Sequence, residues 1–92
     1  MRYTAIDLFS GCGGLSRGLQ DAGYRVLAAV EIDQKACETY RANHREVELL
    51  VGDIRQVSAA KLLRSTGLKK GELDLLAGCP PCQGFSTLRA RN

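Results

Sequence analysis

Tyr3-Thr-Ala-Ile-Asp-Leu-Phe-Ser-Gly-Cys-Gly-Gly-Leu-Ser-Arg-Gly-Leu-Gln-Asp-Ala-Gly23 is the stretch whose reading decides the fold. Tyr3, Ala5, Ile6, Leu8 and Phe9 form a near-continuous apolar run, the pattern of a parallel strand covered on both faces. Ser10-Gly-Cys-Gly-Gly14 follows as a turn whose glycines permit positive φ and close approach of a ligand to the main chain. Leu15, Leu19 and Ala22 then recur at helical spacing, and Gly23 closes that helix. A glycine turn feeding a helix N-terminus aims free N–H groups and the positive end of a dipole at whatever sits there. The unit reads as a cofactor cradle. A tight strand-to-helix turn with no ligand is the alternative, because such turns are common in parallel α/β folds.

Working outward, strand and helix alternate. Arg25–Val30 is a second apolar run that ends at Glu31. Asp33 is placed to cap a helix over Gln34–Asn43 with Ala36, Cys37 and Tyr40 on one face. His44 at its end is expected to be exposed, where a histidine suits the negative end of the helix dipole. Val47–Val51 is a third strand, stopped by Gly52-Asp-Ile54. Ser58 caps a third helix with Ala59, Leu62 and Leu63 toward the sheet, and Gly67 ends it. Leu73–Ala77 is a fourth strand, running into Gly78-Cys-Pro-Pro-Cys82, where paired prolines exclude helix and central strand. The expectation is an α/β chain: about four strands in a parallel sheet, with three helices on both faces.

The chain has 92 residues, which suits one small domain or a piece of a larger one. Thirteen basic and ten acidic residues give a net charge of +3. Arg64, Lys69, Lys70, Arg89 and Arg91 fall in the last third, compatible with nucleic acid but equally with a solvated surface. No apolar run approaches the roughly 18 residues that a membrane span needs. Met1-Arg-Tyr3 does not open a signal peptide, so a cytoplasmic location with reduced thiols is expected, beside the nucleoid if the source is bacterial. Cys12, Cys37, Cys79 and Cys82 are then free thiols, metal ligands or catalytic groups rather than disulfides.

Ligands of parallel sheets bind outside the C-terminal strand ends, and the glycine turn, Glu31, Asp53 and Cys82 all map there. Glu31 lies 20 residues after Gly11, the distance at which an acidic side chain accepts from ribose hydroxyls; a surface glutamate before a helix is the alternative. Asp53 would accept from the exocyclic amine of an adenine packed by Ile32 and Ile54, or else cap the turn after Gly52. The third glycine of the dinucleotide fingerprint is replaced by Ser16, which weakens an NAD site. An adenosine-bearing ligand carrying a sulfonium and an amino-acid end remains.

Four segments together resemble one family, the DNA (cytosine-5) methyltransferases. Asp7-Leu-Phe-Ser-Gly-Cys-Gly-Gly-Leu15 is similar to the first family motif, Glu31-Ile-Asp33 to the second, Gly52-Asp-Ile54 to the third, and Pro80-Pro-Cys-Gln-Gly-Phe-Ser86 to the catalytic loop. The resemblance covers nearly the whole chain and implies a Rossmann-like class I methyltransferase fold and S-adenosylmethionine as cofactor. It implies that Phe9, Ser10, Gly11, Gly13, Gly14 and Leu15 surround the methionine end and sugar, that Glu31 holds the ribose, and that Ile32, Asp53 and Ile54 hold the adenine. Cys82 would be the nucleophile attacking C6 of a cytosine flipped out of duplex DNA. Gln83, Ser86, Arg89 and Arg91 would contact DNA, or else form a polar loop. Restriction-modification is the setting this family suggests.

The family's later Glu-Asn-Val and Gln-x-Arg-x-Arg motifs are not in these 92 residues, nor is a target-recognition region. Residues 1–92 are therefore expected to be the N-terminal part of a catalytic domain, inert or nearly so by themselves. If the fourth strand lies at a sheet edge, Leu73–Ala77 would self-associate or pair with a complementing chain. A thiol-disulfide module on Cys79 and Cys82, or a zinc module adding Cys12 and Cys37, is the alternative. A second C-x-x-C is missing for zinc, and the proline loop after a fourth strand is an unusual place for redox chemistry.

Overall fold

The computed structural model describes residues 2–79. Four strands form one parallel sheet: β1 (Thr4–Asp7), β2 (Arg25–Glu31), β3 (Glu48–Val51) and β4 (Leu75–Ala77). Their order is β3-β2-β1-β4, so among the described residues β1 and β2 are central and β4 is an edge. Three helices, α1 (Gly14–Asp21), α2 (Gln34–Asn43) and α3 (Ala59–Thr66), connect them, with a short 3-10 turn at Ile54–Gln56. The expected α/β architecture is therefore the one adopted.

Local chemistry sets the helix ends. The Asp33 side chain accepts from the N–H groups of Lys35 and Ala36, and Ser58 Oγ accepts from Lys61 N–H. Gly67 ends α3 in the left-handed region at φ 75°. Among the described residues no side chain caps α1; its N-cap is Gly13, also left-handed.

The sheet separates two packed layers, and a bulge in β2 decides which residue belongs to which. Ala5 pairs with Val26 but Ile6 pairs with Ala28, leaving Leu27 as the extra residue. Side-chain parity flips there. Val26 and Ala29 face one side with Tyr40 and Val47, while Ala28 and Val30 face the other with Ile6 and Leu62. The first side is covered by α1 and α2, the second by α3. An unbroken apolar run such as Arg25–Val30 carries no mark of this switch.

Several expectations need correction. β1 ends at Asp7, and Leu8 and Phe9 are half-buried in the turn beyond it. β4 begins at Leu75 rather than Leu73, because Asp74 is diverted into a clip. Its Oδ2 accepts from Thr4 N–H at 2.8 Å and Thr4 Oγ1 at 3.1 Å, fastening the edge strand to β1. Ala22 is the exposed C-cap of α1, and Ser16 is the residue that α1 buries, because it meets Asp7 beneath the helix. Ala59 is exposed in the first turn of α3, where Leu62 alone is buried and Leu63 half-buried. His44 is 5% exposed instead of solvated: it caps α2 and is covered by the glycine turn.

Candidate functional site

At the C-terminal ends of β1, β2 and β3 lies a pocket of about 410 Å³. Its walls come from Leu8, Phe9 and Gly11 after β1, Val30, Glu31 and Ile32 after β2, Gly52, Asp53, Ile54 and Arg55 after β3, and Cys79 after β4. A parallel sheet brings these sequence-distant segments together because every strand ends on the same side.

Glu31 is the corner of this pocket. Its Oε1 accepts from Gly11 N–H at 2.7 Å, and its Oε2 from the N–H groups of Asp33 and Ile32 at 2.8 and 3.0 Å. One carboxylate thus ties the glycine turn to the start of α2. Three of the roughly four acceptor directions of a carboxylate are used in this way, two of them at Oε2, which leaves one at Oε1 for a hydroxyl donor. Gly11 sits at φ 53°, a conformation that costs a side-chain-bearing residue about 1–2 kcal/mol.

Apolar walls flank the carboxylate. The Phe9 ring packs against Gly78, where an added Cβ would lie 3.1 Å from Phe9 Cδ2. Ile32 is 60% exposed, a large apolar side chain at the mouth of a hollow, and Ile54 is half-buried. Of the two roles anticipated for Asp53, the structure shows the turn cap. It lines the pocket, and it caps the 3-10 turn by accepting from Arg55 N–H at 2.9 Å. Arg55 also grips it with its guanidinium, Nη2 to Oδ2 at 2.6 Å, and these bonds hold the carboxyl at about 2.

The remaining sites expected around this hollow are distributed differently. Ser10 is buried, with its N–H on Val30 O at 3.1 Å and its hydroxyl without a partner among the described residues. Gly13 is buried against His44, where an added Cβ would meet Nε2 at 2.5 Å. Gly14 and Leu15 open α1 behind the turn and do not line the pocket. Cys82, Gln83, Ser86, Arg89 and Arg91 lie outside the described residues. Cys12 and Cys79 are exposed and Cys37 is buried, its thiol pushed up by burial and by the Glu31 charge. Among the described residues no three His, Cys, Asp or Glu side chains gather as a metal site, and no helix is long and apolar enough to cross a membrane.

Two features were not legible in the sequence. A larger cavity, about 510 Å³, opens at the opposite strand ends near Arg2, Arg25, Arg45 and Glu46, but it gathers none of the motif residues. More telling is a polar cluster under the glycine turn. Asp7 is fully buried and accepts from Ser16 Oγ at 2.8 Å, and Ser16 Oγ lies 2.9 Å from Tyr40 OH. Burial raises the Asp7 carboxyl, opposed by the Ser16 hydrogen bond, and burial pushes Tyr40 up to about 12. An acid inside an apolar strand was the available signal.

The comparisons with known proteins agree with one another. The sequence model of the family described as C-5 cytosine-specific DNA methylase matches residues 3–92. Type II methyltransferase M1.HphI of Haemophilus parahaemolyticus is 46% identical over 86 residues, covering 94% of this chain and 23% of that protein. A prophage-encoded protein of E. coli, described as a DNA modification methyltransferase, superposes with a TM-score of 0.79 at 40% identity, over 90% of this chain and 24% of its own. The S. pombe Dnmt2 methyltransferase superposes with a TM-score of 0.71 at 26% identity, over 91% and 24%. The chain spans about a quarter of the length of these relatives.

Proposed function

The chain belongs to the C-5 cytosine-specific DNA methylase family, and from that premise we propose that it supplies the S-adenosylmethionine site and the nucleophile of a DNA (cytosine-5) methyltransferase. The observation that carries this reading is Glu31: its carboxylate, bonded to Gly11 at 2.7 Å, faces a hollow walled by Phe9, Ile32 and Ile54. The donor set suits an adenosine. The carboxylate retains one acceptor direction, at Oε1, for a ribose hydroxyl, and the apolar side chains offer contact to a purine. Asp53 stands at the rim, where one of its oxygens would accept from an exocyclic amine while Arg55 keeps it ionised. The residues present fit the group.

When bound there, S-adenosylmethionine supplies an electrophilic methyl on a sulfonium. The chain's own contribution to the chemistry is a thiol. C5 of cytosine is too weak a nucleophile by itself. Addition of the Cys82 thiolate to C6 would make C5 enamine-like and able to take up that methyl, after which loss of the C5 proton and elimination of Cys82 as thiolate would restore the ring. A free thiol with pKa of about 8.5 needs activation, which residues outside this chain would supply. Extrusion of the cytosine from duplex DNA, with Gln83, Ser86, Arg89 and Arg91 against the strand, belongs to the same reading. So does a cytoplasmic site of action.

Residues 1–92 act as the cofactor-binding part of a larger catalytic unit. The edge position of β4, with Leu76 57% exposed, supports pairing with a further strand from that unit, from a complementing chain or from a second copy. Calorimetry with S-adenosylmethionine tests the central claim. Saturable binding by the chain, abolished in Gly11→Val, is expected; no binding by folded protein would overturn it. In methyl transfer to DNA, the chain by itself should show no substantial turnover. The same assay on the complete catalytic unit should be lost in Cys82→Ala while cofactor binding persists.

A further inference from the structure

The polar cluster behind the glycine turn is used by none of the steps above, and proton accounting gives it a direction. Asp7, Ser16 and Tyr40 are all 0% exposed and stand on β1, α1 and α2. Ser16 gives its single hydroxyl proton to Asp7 Oδ2 at 2.8 Å. Ser16 then has none left, and across the 2.9 Å contact Tyr40 must be the donor. The chain runs one way, from α2 through α1 to the end of β1.

Tyr40 also reaches the turn from below. Its ring stacks on His44 with centroids 4.6 Å apart and planes 30° apart. Together the two rings floor Gly13, whose added Cβ would lie 3.3 Å from Tyr40 Cδ2 and 2.5 Å from His44 Nε2. Gly13 N–H in turn donates to Ser10 O at 2.9 Å, closing the turn that carries Gly11 onto Glu31. We propose that Tyr40 and Ser16 are positioning residues: their hydrogen-bond chain to Asp7, with the Tyr40 and His44 rings beneath Gly13, sets the height and tilt at which the turn presents Gly11 to Glu31.

The opposite face of the sheet supports this. There Ile6, Val30 and Leu62 fill the same kind of space with apolar side chains. Burying an acid and two hydroxyls is less favourable than such packing unless their directionality is used. Burial is the main influence raising the Asp7 carboxyl, opposed by the Ser16 bond and by a backbone bond at Phe9, while the Glu31 charge raises it further; the His44 ring is the other titratable group facing it. For ligand affinity the inference rests on the reading of the pocket given above; for the shape of the turn it does not.

Tyr40→Phe and Ser16→Ala, each removing one oxygen, are the variants, and amide hydrogen exchange of the ligand-free chain is the first measurement. Loss of one net hydrogen bond should speed exchange at Gly11 and Gly13 by about three- to tenfold, with the β2–β3 amides unchanged. By NMR titration the Asp7 carboxyl should move upward in Ser16→Ala, and less far in Tyr40→Phe, a shift that loss of packing alone would not produce. Affinity for S-adenosylhomocysteine should fall by a similar factor. Turn amides that exchange as before, or an equal acceleration of every amide, would overturn the inference. Should either variant fail to fold, the unmodified chain still decides. Its Ser16 and Tyr40 hydroxyl protons should exchange slowly enough to be seen, with an Overhauser contact between them, and fast exchange of both would overturn it. If the unmodified chain binds no cofactor while the turn amides respond, the pocket reading falls and the positioning stands.

Discussion

The two faces of the sheet are packed by different chemistry. Under α3, Ile6, Ala28, Val30 and Leu62 form an apolar cluster joined by Leu8, Leu50 and Ile54. Under α1 and α2, apolar residues share the space with Asp7, Ser16, Tyr40 and His44. Apolar packing is non-directional and tolerates small rearrangements at a cost set by area and cavity volume. A hydrogen-bonded cluster is less favourable to bury but fixes distances and angles. The face beneath the glycine turn carries the directional chemistry, and the other supplies bulk stability. Substitutions on the two faces should therefore separate stability from affinity.

The largest effect is expected on the apolar face. Leu62→Ala removes the buried side chain of α3 and should lower unfolding stability by about 3 kcal/mol in urea titration. The molecules that remain folded should bind cofactor as before. Loss of affinity at saturating folded fraction would break the comparison.

Gly13→Ala comes next and should do the reverse in proportion. Gly13 sits at φ 106° with His44 Nε2 2.5 Å from the new Cβ. The strained backbone and the clash should cost about 2 kcal/mol of stability and abolish measurable cofactor binding. Adding His44→Ala should recover the clash but not the backbone strain, so the double variant should be more stable than the sum of the singles predicts. Strict additivity would show that His44 is not what closes on Gly13.

Glu31→Gln sharpens the boundary between the faces and the pocket. The amide keeps the shape but loses charge and one acceptor, weakening the charge-assisted bond to Gly11. Cofactor affinity should fall by about tenfold, or about 1.4 kcal/mol, with a drop in the unfolding midpoint smaller than that of Leu62→Ala, because one N–H loses its acceptor. An unchanged affinity would remove Glu31 from the site.

The smallest effects are in pH dependence, where the two acids differ in sign. Asp53 is held at about 2, below its ordinary 3.8, first by its side-chain and backbone bonds with Arg55. Its contribution is present above pH 3.8 and is lost as pH falls through about 2. Arg55→Ala should return its carboxyl toward 3.8 in an NMR titration. Asp7 is raised by burial, so its contribution is full below 3.8 and is lost as pH rises through its folded value. Asp7→Asn should flatten that part of the stability curve on the alkaline side, and a curve that keeps its slope would show that Asp7 is not the group responsible.

Which segments meet at the strand ends could be read from the chain. The glycine turn, Glu31 and Asp53 each ended an apolar run, and ends of parallel strands meet. Their separate partners could not be read. The Glu31 bond to Gly11, and the Arg55 grip that makes Asp53 both cap and pocket wall, depend on side-chain directions that spacing does not encode. In the sequence Ser16 stands out only as the replacement of a glycine, and His44 only as a residue suited to the negative end of a helix dipole. Both instead lie under the turn, because α1 and α2 converge on Asp7.

By itself the sequence determined the alternation of strands and helices, the caps at Asp33, Ser58 and Gly67, and the family. Those depend on local propensity and on residues close in the chain. Only the tertiary structure decided the strand order, the edge position of β4, the parity switch at Leu27, and the burial of Asp7, Ser16, Tyr40 and His44 in one cluster. The physical reason is that a side chain's cost or use is set by what packs against it. For these residues that neighbour arrives from an element the local sequence does not name.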